Sequence, residues 1–360
     1  MFGSFFRPGK ASFICGGQWG SEGKGAAAAA LAKHLSEVGR HFTHVTTNAG
    51  VQSGHTSVHN GKTQVFFHLP TYPAIAAQYG YKPIVYLNAG SVIDVGVLFD
   101  ELSRYHDYIH ELAIHPDAAI VTDECKVMEM RPDGQQTKIG STRKGVGAAI
   151  ATKVLRAGVT AKDIPALKIF TRRLDLNNVM QIGGSVLAEI PQGYGLGLNA
   201  GFYPYCTSRD CTPMQAMSDA GIHPAFYNTT MMVIRTFPIR VGNITNDEDM
   251  VIGESGGCYP DQCEISWRDI GVNPEYTTVT KRVRRIFTFS QLQLTEAMAA
   301  LRPTVVYVTF LDYYKPGDRF KVEDLMLNIR HAAINAGIHV ELIAQYGPST
   351  DDARLWSIKL

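Results

Sequence analysis

Ten residues near the start of the chain, Gly16-Gly17-Gln18-Trp19-Gly20-Ser21-Glu22-Gly23-Lys24-Gly25, constrain its fold more than any other stretch. Before them, Ser12-Phe13-Ile14-Cys15 has the apolar content of a short buried strand. After them, Gly25 through Glu37 is rich in alanine and free of proline, which predicts a helix. A strand, a glycine loop and a helix in succession aim backbone N–H groups and a helix N-terminus at an anion. Glycines let the backbone approach a phosphate closely, and Lys24 supplies positive charge. The spacing is not that of a Walker A loop, because Gln18 stands where that motif needs its first glycine and Gly25 where it needs Ser or Thr. The plainer alternative is a glycine turn in front of an ordinary helix.

The rest of the chain repeats the alternation that the loop begins. Ile84-Val85-Tyr86-Leu87, Ala119-Ile120-Val121 and Val305-Val306-Tyr307-Val308 read as buried strands, and Val95 to Tyr105 and Val322 to Ala336 as helices. This pattern predicts an α/β fold with a central, mostly parallel sheet flanked by helices, built as a single continuous domain over residues 1–360. The chain carries a basic run, Lys281 to Arg285, but its formal net charge is only +1. Proteins that bind polyanions show a broad basic excess, so the run suits a small anionic ligand and direct nucleic acid binding is not expected. With no long apolar span and no export signal in the sequence, a cytoplasmic protein without membrane attachment is expected. Two C-x4-C pairs, Cys206/Cys211 and Cys258/Cys263, leave a four-thiolate zinc site open, but C-x2-C is the usual spacing. Reduced structural thiols are the simpler reading.

The loop string GGQWGSEGKG resembles the GxQWGDEGKG signature of the adenylosuccinate synthetase family. Further likenesses follow in the same order: Gln52-Ser53-Gly54-His55-Thr56, Gly140 to Gly147, Lys153 to Arg156, Gln192-Gly193, Tyr203 to Ser208, Arg240-Val241-Gly242, Thr280 to Arg285 and Thr309 to Asp312. They span about residues 12 to 312. The departures resemble the phage-encoded 2-aminoadenylosuccinate synthetase branch: the loop acid is replaced by Ser21, and no GPFPTE run follows Gly242. That likeness implies a ligase that joins dGMP and L-aspartate at the cost of ATP or dATP, uses Mg2+, and acts as a homodimer in the host-cell cytoplasm for diaminopurine DNA synthesis. Ordinary adenylosuccinate synthetase chemistry on IMP with GTP is the alternative within the class. A nucleotide-binding regulator without turnover is the alternative outside it.

The resemblance also implies roles for individual residues. Ser21, Lys24 and His55 become the catalytic group, and Ser21 with the Gly54 carbonyl the metal ligands. Ser21, Gln52, Ser141, Thr142, Arg156, Gln192 and Thr207 would bind dGMP, with Arg156 reaching the nucleotide phosphate of a neighbouring subunit. Gly20, Glu22, Gly23, Lys24, Gly25, His55, Thr56, Arg284, Phe310, Asp312 and Gly347 would bind the donor, Phe310 stacking on its base. Val241, Thr280 and Arg282 would hold aspartate, with Arg284 beside Arg282 available to the second carboxylate. Serine at position 21 is expected to make room for the 2-amino group of guanine, which a carboxylate would crowd. The same change removes a plausible base for the N1 proton, since a hydroxyl is not basic near neutral pH.

Overall fold

The computed structural model describes residues 1–248, 250–277, 281–315 and 317–357. Thr280 lies outside them. Nine strands form one sheet: β1 (Ala11–Gly16), β2 (His44–Thr47), β3 (Ile84–Leu87), β4 (Glu111–Ile114), β5 (Val186–Gly193), β6 (Tyr227–Arg235), β7 (Val305–Thr309), β8 (Glu341–Gln345) and β9 (Ala353–Leu355). Their spatial order is β9-β8-β7-β6-β1-β5-β2-β3-β4. All neighbours run parallel except β9, which returns antiparallel along β8. The mostly parallel sheet expected from the sequence is therefore present.

Central strands buried on both faces read as near-continuous apolar runs, and the side-chain alternation divides them. Phe13, Cys15, Ala188, Met232 and Val306 face helices α3 (Gln291–Leu301) and α4 (Arg319–Asn335) through Leu294, Met298 and Ile329. Ile14, Leu187, Met231, Val233 and Tyr307 face α1 (Lys24–Glu37) through Ala28 and Leu31. The alanines of α1 let that helix lie close on the sheet.

The run at 119–121 does contain a buried strand, but outside the central sheet. Ala119–Ile120 is a two-residue strand paired with Val92–Ile93, outside the nine-stranded sheet. Ala119 is buried in a satellite core with Val51, Val92, Val121 and helix α2 (Val146–Val154), while Ile120 packs with Val85, Leu87, Leu112 and Ile114 of β3 and β4. A three-residue apolar run reports burial without saying which sheet receives it.

Loops that follow the carboxyl ends of β1, β5, β6 and β7 converge on one side of the sheet. That edge is where parallel α/β sheets bind ligands.

Candidate active site

A cavity of about 690 Å³ opens at this edge. The loop after β1 forms its floor. Gly23, at φ 84°, N-caps α1 with no side chain between the first helical amides and the cavity. A Cβ on Gly25 would lie 2.4 Å from the Thr56 carbonyl oxygen, so this glycine lets the helix start pack against the hairpin that carries His55. Ser21 is left-handed at φ 56°, uncommon for a residue other than glycine. The fully buried Arg235 donates from Nη1 to the Ser21 carbonyl at 3.2 Å, so a residue at the end of β6 helps hold the loop turn.

Lys24 lines the cavity and pairs through Nζ with Glu22 Oε2 at 2.7 Å. Glu22 keeps its side chain out of the cavity. Its carboxylate is fully buried beneath the loop, where Oε1 accepts from the amides of Gln18 at 3.1 Å and Gly20 at 2.7 Å. It holds the loop's shape and does not line the cavity. The reason is local: three donors around one buried point require an anion, and Glu22 is the one present.

His55 begins the hairpin strand His55–His59 and lines the cavity. Its Nδ1 lies 3.9 Å from Glu189 Oε2. The Glu189 carboxylate is fixed by the backbone amides of Thr71 at 2.9 Å and Tyr72 at 2.7 Å. On the other side of the ring, Nε2 is buried without a partner among the described residues. Gln52 (both amide atoms) and Gln192 Oε1 share that condition and also line the cavity. Buried polar atoms are normally hydrogen-bonded, so these mark positions where a ligand or water completes the site.

Ser141, Thr142 and Thr207 line the cavity, as do Thr56, Phe310, Asp312 and Gly347. Phe310 carries the Arg235 guanidinium over its ring, 3.9 Å from Cζ to the centroid. Arg235 in turn pairs with Glu275, which also accepts from the Tyr313 hydroxyl at 2.8 Å. Burial works to raise the Glu275 carboxyl, but the Arg235 charge and these hydrogen bonds prevail and hold it below the usual range. Asp312 shifts the other way, raised first by burial and further by the nearby Asp352 and Glu275 carboxylates. Ser21 and Gly54 also line the cavity, offering oxygens for a hard cation. Among the described residues, no group of three His, Cys, Asp or Glu is arranged to hold a metal by itself.

The remaining expected residues divide as follows. Gly20 and Val241 line the cavity. Arg156 is exposed, just beyond the end of α2, and contributes nothing to this cavity from its own chain. Arg282 does not line it: Nη1 donates to the Gly242 carbonyl at 2.8 Å, and Nη2 to those of Gly140 and Ser141 at 3.3 Å. It ties three loop segments together, because each ends in a carbonyl that a guanidinium fork can reach. Arg284 lines the cavity, its charge disfavoured chiefly by burial. All six cysteines are free, and the buried Cys15 and Cys211 meet through a thiol-to-carbonyl contact of 2.9 Å. Sequence reasoning gave no role to Arg235, Arg240, Glu189, Glu275 and Tyr313, although Arg240 stands in one of the family-like motifs. Only the basic residue ahead of Thr236 and the TFPIRVG turn hinted at the first two.

A parallel sheet with a glycine loop, a buried lysine and a cavity at its carboxyl edge defines a nucleotide-phosphate-binding α/β protein. The chain belongs to the adenylosuccinate synthetase family, whose model matches residues 13–178 and 169–325. It is 33% identical to the N6-succino-2-amino-2'-deoxyadenylate synthase of Salmonella phage PMBT28, across 96% of this chain and 97% of that one. It is 32% identical to the adenylosuccinate synthetase of Pyrococcus horikoshii, across 84% of each. Among solved structures, the succinoaminodeoxyadenylate synthetase of cyanophage S-2L, bound to dGMP and to dATP as an energy donor, superposes with a TM-score of 0.82. The two share 32% identity, with 97% of this chain and 96% of that chain covered.

Proposed function

We propose that the protein is a carbon–nitrogen ligase that condenses dGMP with L-aspartate at the expense of ATP or dATP. The observation that carries this reading is Ser21: the family's loop acid is replaced by a small hydroxyl residue, held left-handed by Arg235 on the cavity floor. The phage relatives that it resembles carry names for this reaction, and one is bound to dGMP and dATP.

The reaction balances in two steps. The donor's γ-phosphoryl group passes to O6 of the lactam as the N1 proton departs, leaving ADP or dADP. The aspartate amine then displaces the new phosphate at C6, releasing inorganic phosphate and a proton. Lys24 and the first amides of α1 face the phosphates and offset their charge as it moves. His55, backed by Glu189, presents Nε2 to the developing 6-oxyanion, where a positioned imidazole stabilises charge and donates a proton. Gln52, Ser141, Thr142, Gln192 and Thr207 hold the acceptor, and Thr56, Phe310, Asp312 and Gly347 the donor. Arg156, exposed here, serves the acceptor phosphate of a second subunit in a homodimer.

The oxygens at Ser21 and Gly54 fit Mg2+ brought in on donor phosphates, since such ions keep water and substrate ligands and need only one or two from protein. When bound, the ion neutralises phosphate charge. A protein made and used in the cytoplasm of a phage-infected cell agrees with this chemistry.

Incubation with aspartate, Mg2+, ATP or dATP, and either dGMP or IMP tests the reading. Succinylated product and phosphate from dGMP are expected. Product from IMP alone would favour the parent activity, and nucleotide binding without product a regulator.

A further inference from the structure

Glu129 takes no part in the two reaction steps, yet it lines the cavity from the end of the helix Asp123–Met130. It is 4% exposed. Its Oε2 accepts from the Gly145 amide at 2.7 Å and its Oε1 from the Ala148 amide at 3.1 Å. Both amides belong to the start of α2, where Gly145, at φ 80°, brings no side-chain cap. The first amides of a helix form a natural phosphate site. Here a carboxylate of the chain itself fills it. No lysine or arginine among the described residues pairs with that carboxylate, so only the amides and the helix dipole offset its charge.

The carboxylate lies beside the hydroxyl groups given to the acceptor. Gly145, whose amide it takes, follows Thr142 by three residues. A Cβ on Gly147 would lie 3.0 Å from Glu129 Oε1 and 2.8 Å from Ser208 Oγ, so the missing side chain lets the acid and the serine approach one spot. Gly147 and Ser208 both line the cavity, and Ser208 adjoins Thr207. The start of α1 is the opposite case. It presents the Lys24 side chain to the cavity and has no acidic residue in its first turn. The two helix starts that border the cavity therefore differ in the sign of the charge that they present.

We propose that Glu129 sets the phosphate count of the acceptor, admitting a nucleoside monophosphate and turning away a nucleoside diphosphate by charge repulsion. A monophosphate ends at the Ser141, Thr142 and Thr207 hydroxyls. A second phosphoryl group brings more negative charge toward a carboxylate that is held away from bulk water, where like charges repel strongly. Specificity is then built from a repulsive element against the wrong ligand. A triphosphate is directed to α1, where Lys24 stands. The inference rests on the ligase reading for the place of the acceptor, and its test compares two bases without turnover so that the two can fail separately.

The donor site is first filled with the β,γ-imido analogue of ATP and Mg2+, so that added purine nucleotides report on the acceptor site. The pairs dGMP with dGDP and IMP with IDP are then titrated calorimetrically into the wild-type chain, Glu129→Gln and Glu129→Asp. Wild type is expected to bind the monophosphate about ten-fold or more tightly than the diphosphate, and Glu129→Asp, which keeps the charge, to retain most of that gap. Glu129→Gln keeps the shape without the charge, and the gap should close to about three-fold or less. Equal binding of both nucleotides by wild type would overturn the proposal. So would an unchanged gap in Glu129→Gln, whether both affinities stay or fall together, because the rejection would then be steric or Glu129 merely a support for α2. If neither variant folds, Glu129 is a structural residue and the proposal also fails. A gap that depends on Glu129 for IMP and IDP, in a chain that does not bind dGMP, would leave this inference standing and refute the dGMP assignment instead.

Discussion

Arg235 places its guanidinium 3.9 Å over the Phe310 ring, joining the residue expected to carry the donor base to the end of β6. The same side chain reaches the Ser21 carbonyl and the Glu275 carboxylate. One buried cation thus links the glycine loop, the Phe310 ring and an acid. Replacing it with methionine keeps some of the volume but leaves Glu275 largely buried without its counter-charge. A stability loss of about 3 kcal/mol is expected in urea denaturation, in the range for breaking such a pair. A loss near zero would show that the ion pair is solvated. Arg235→Lys should lose less stability and still weaken donor binding, because an ammonium cannot stack as a planar guanidinium does.

Ser21 carries the specificity argument. Ser21→Asp should raise KM for dGMP by at least ten-fold and leave donor KM within a few-fold, since aspartate tolerates the left-handed backbone at this position. Steady-state kinetics with each substrate varied in turn checks it. Equal kinetics for serine and aspartate would separate residue 21 from the 2-amino edge.

His55→Ala should lower kcat by about 10²–10⁴, the range for a positioned acid or base. KM for dGMP should change little if the imidazole acts mainly in the transition state. Near-normal turnover would exclude His55 from the chemistry and leave its vacant Nε2 a task in binding alone.

Asp312 sets a pH dependence whose sign follows from its environment. Its carboxyl is raised, chiefly by burial. It accepts hydrogen bonds best when ionised, so donor affinity should be full above this raised pKa and fall as pH drops through it. The fall begins at higher pH than an ordinary aspartate would give. For folding the sign is opposite: a raised carboxyl costs stability when ionised and regains it on protonation. In Asp312→Asn the pH dependence of donor KM should flatten. An unaltered profile would assign the titration to another group.

The sequence made legible whatever depends on neighbours along the chain. The predicted strand at 12–15 lies within β1, the helix at 25–37 within α1, and the run at 305–308 within β7. Ser21, Lys24, His55 and Asp312 were found because each lies in a short motif, and all four line one cavity. What stayed hidden depends on partners far away in sequence. Arg235 meets Ser21 across 214 residues and Glu275 across 40, and no local pattern announces either. Arg282 makes the same point. A basic run advertises charge, but which anion or carbonyl takes each fork is decided by loops that fold in from residues 140 and 242.

Glu22 offers the sharpest separation of a binding role from a structural one. Its carboxylate takes the Lys24 ammonium and two loop amides, and a Cβ on Gly193 would lie 2.2 Å from its Oε1. Glu22→Ala would leave Lys24 and both amides buried and unpaired. Unfolding free energy should fall by about 3–5 kcal/mol, the cost of removing one partner from a buried pair. Glu22→Gln keeps the shape and an acceptor oxygen, but it cannot offset the lysine, so an intermediate loss is expected. Both losses should appear in the nucleotide-free protein, measured by denaturant titration. If Glu22 acted on the donor instead, the free protein would keep its stability and only donor affinity would suffer.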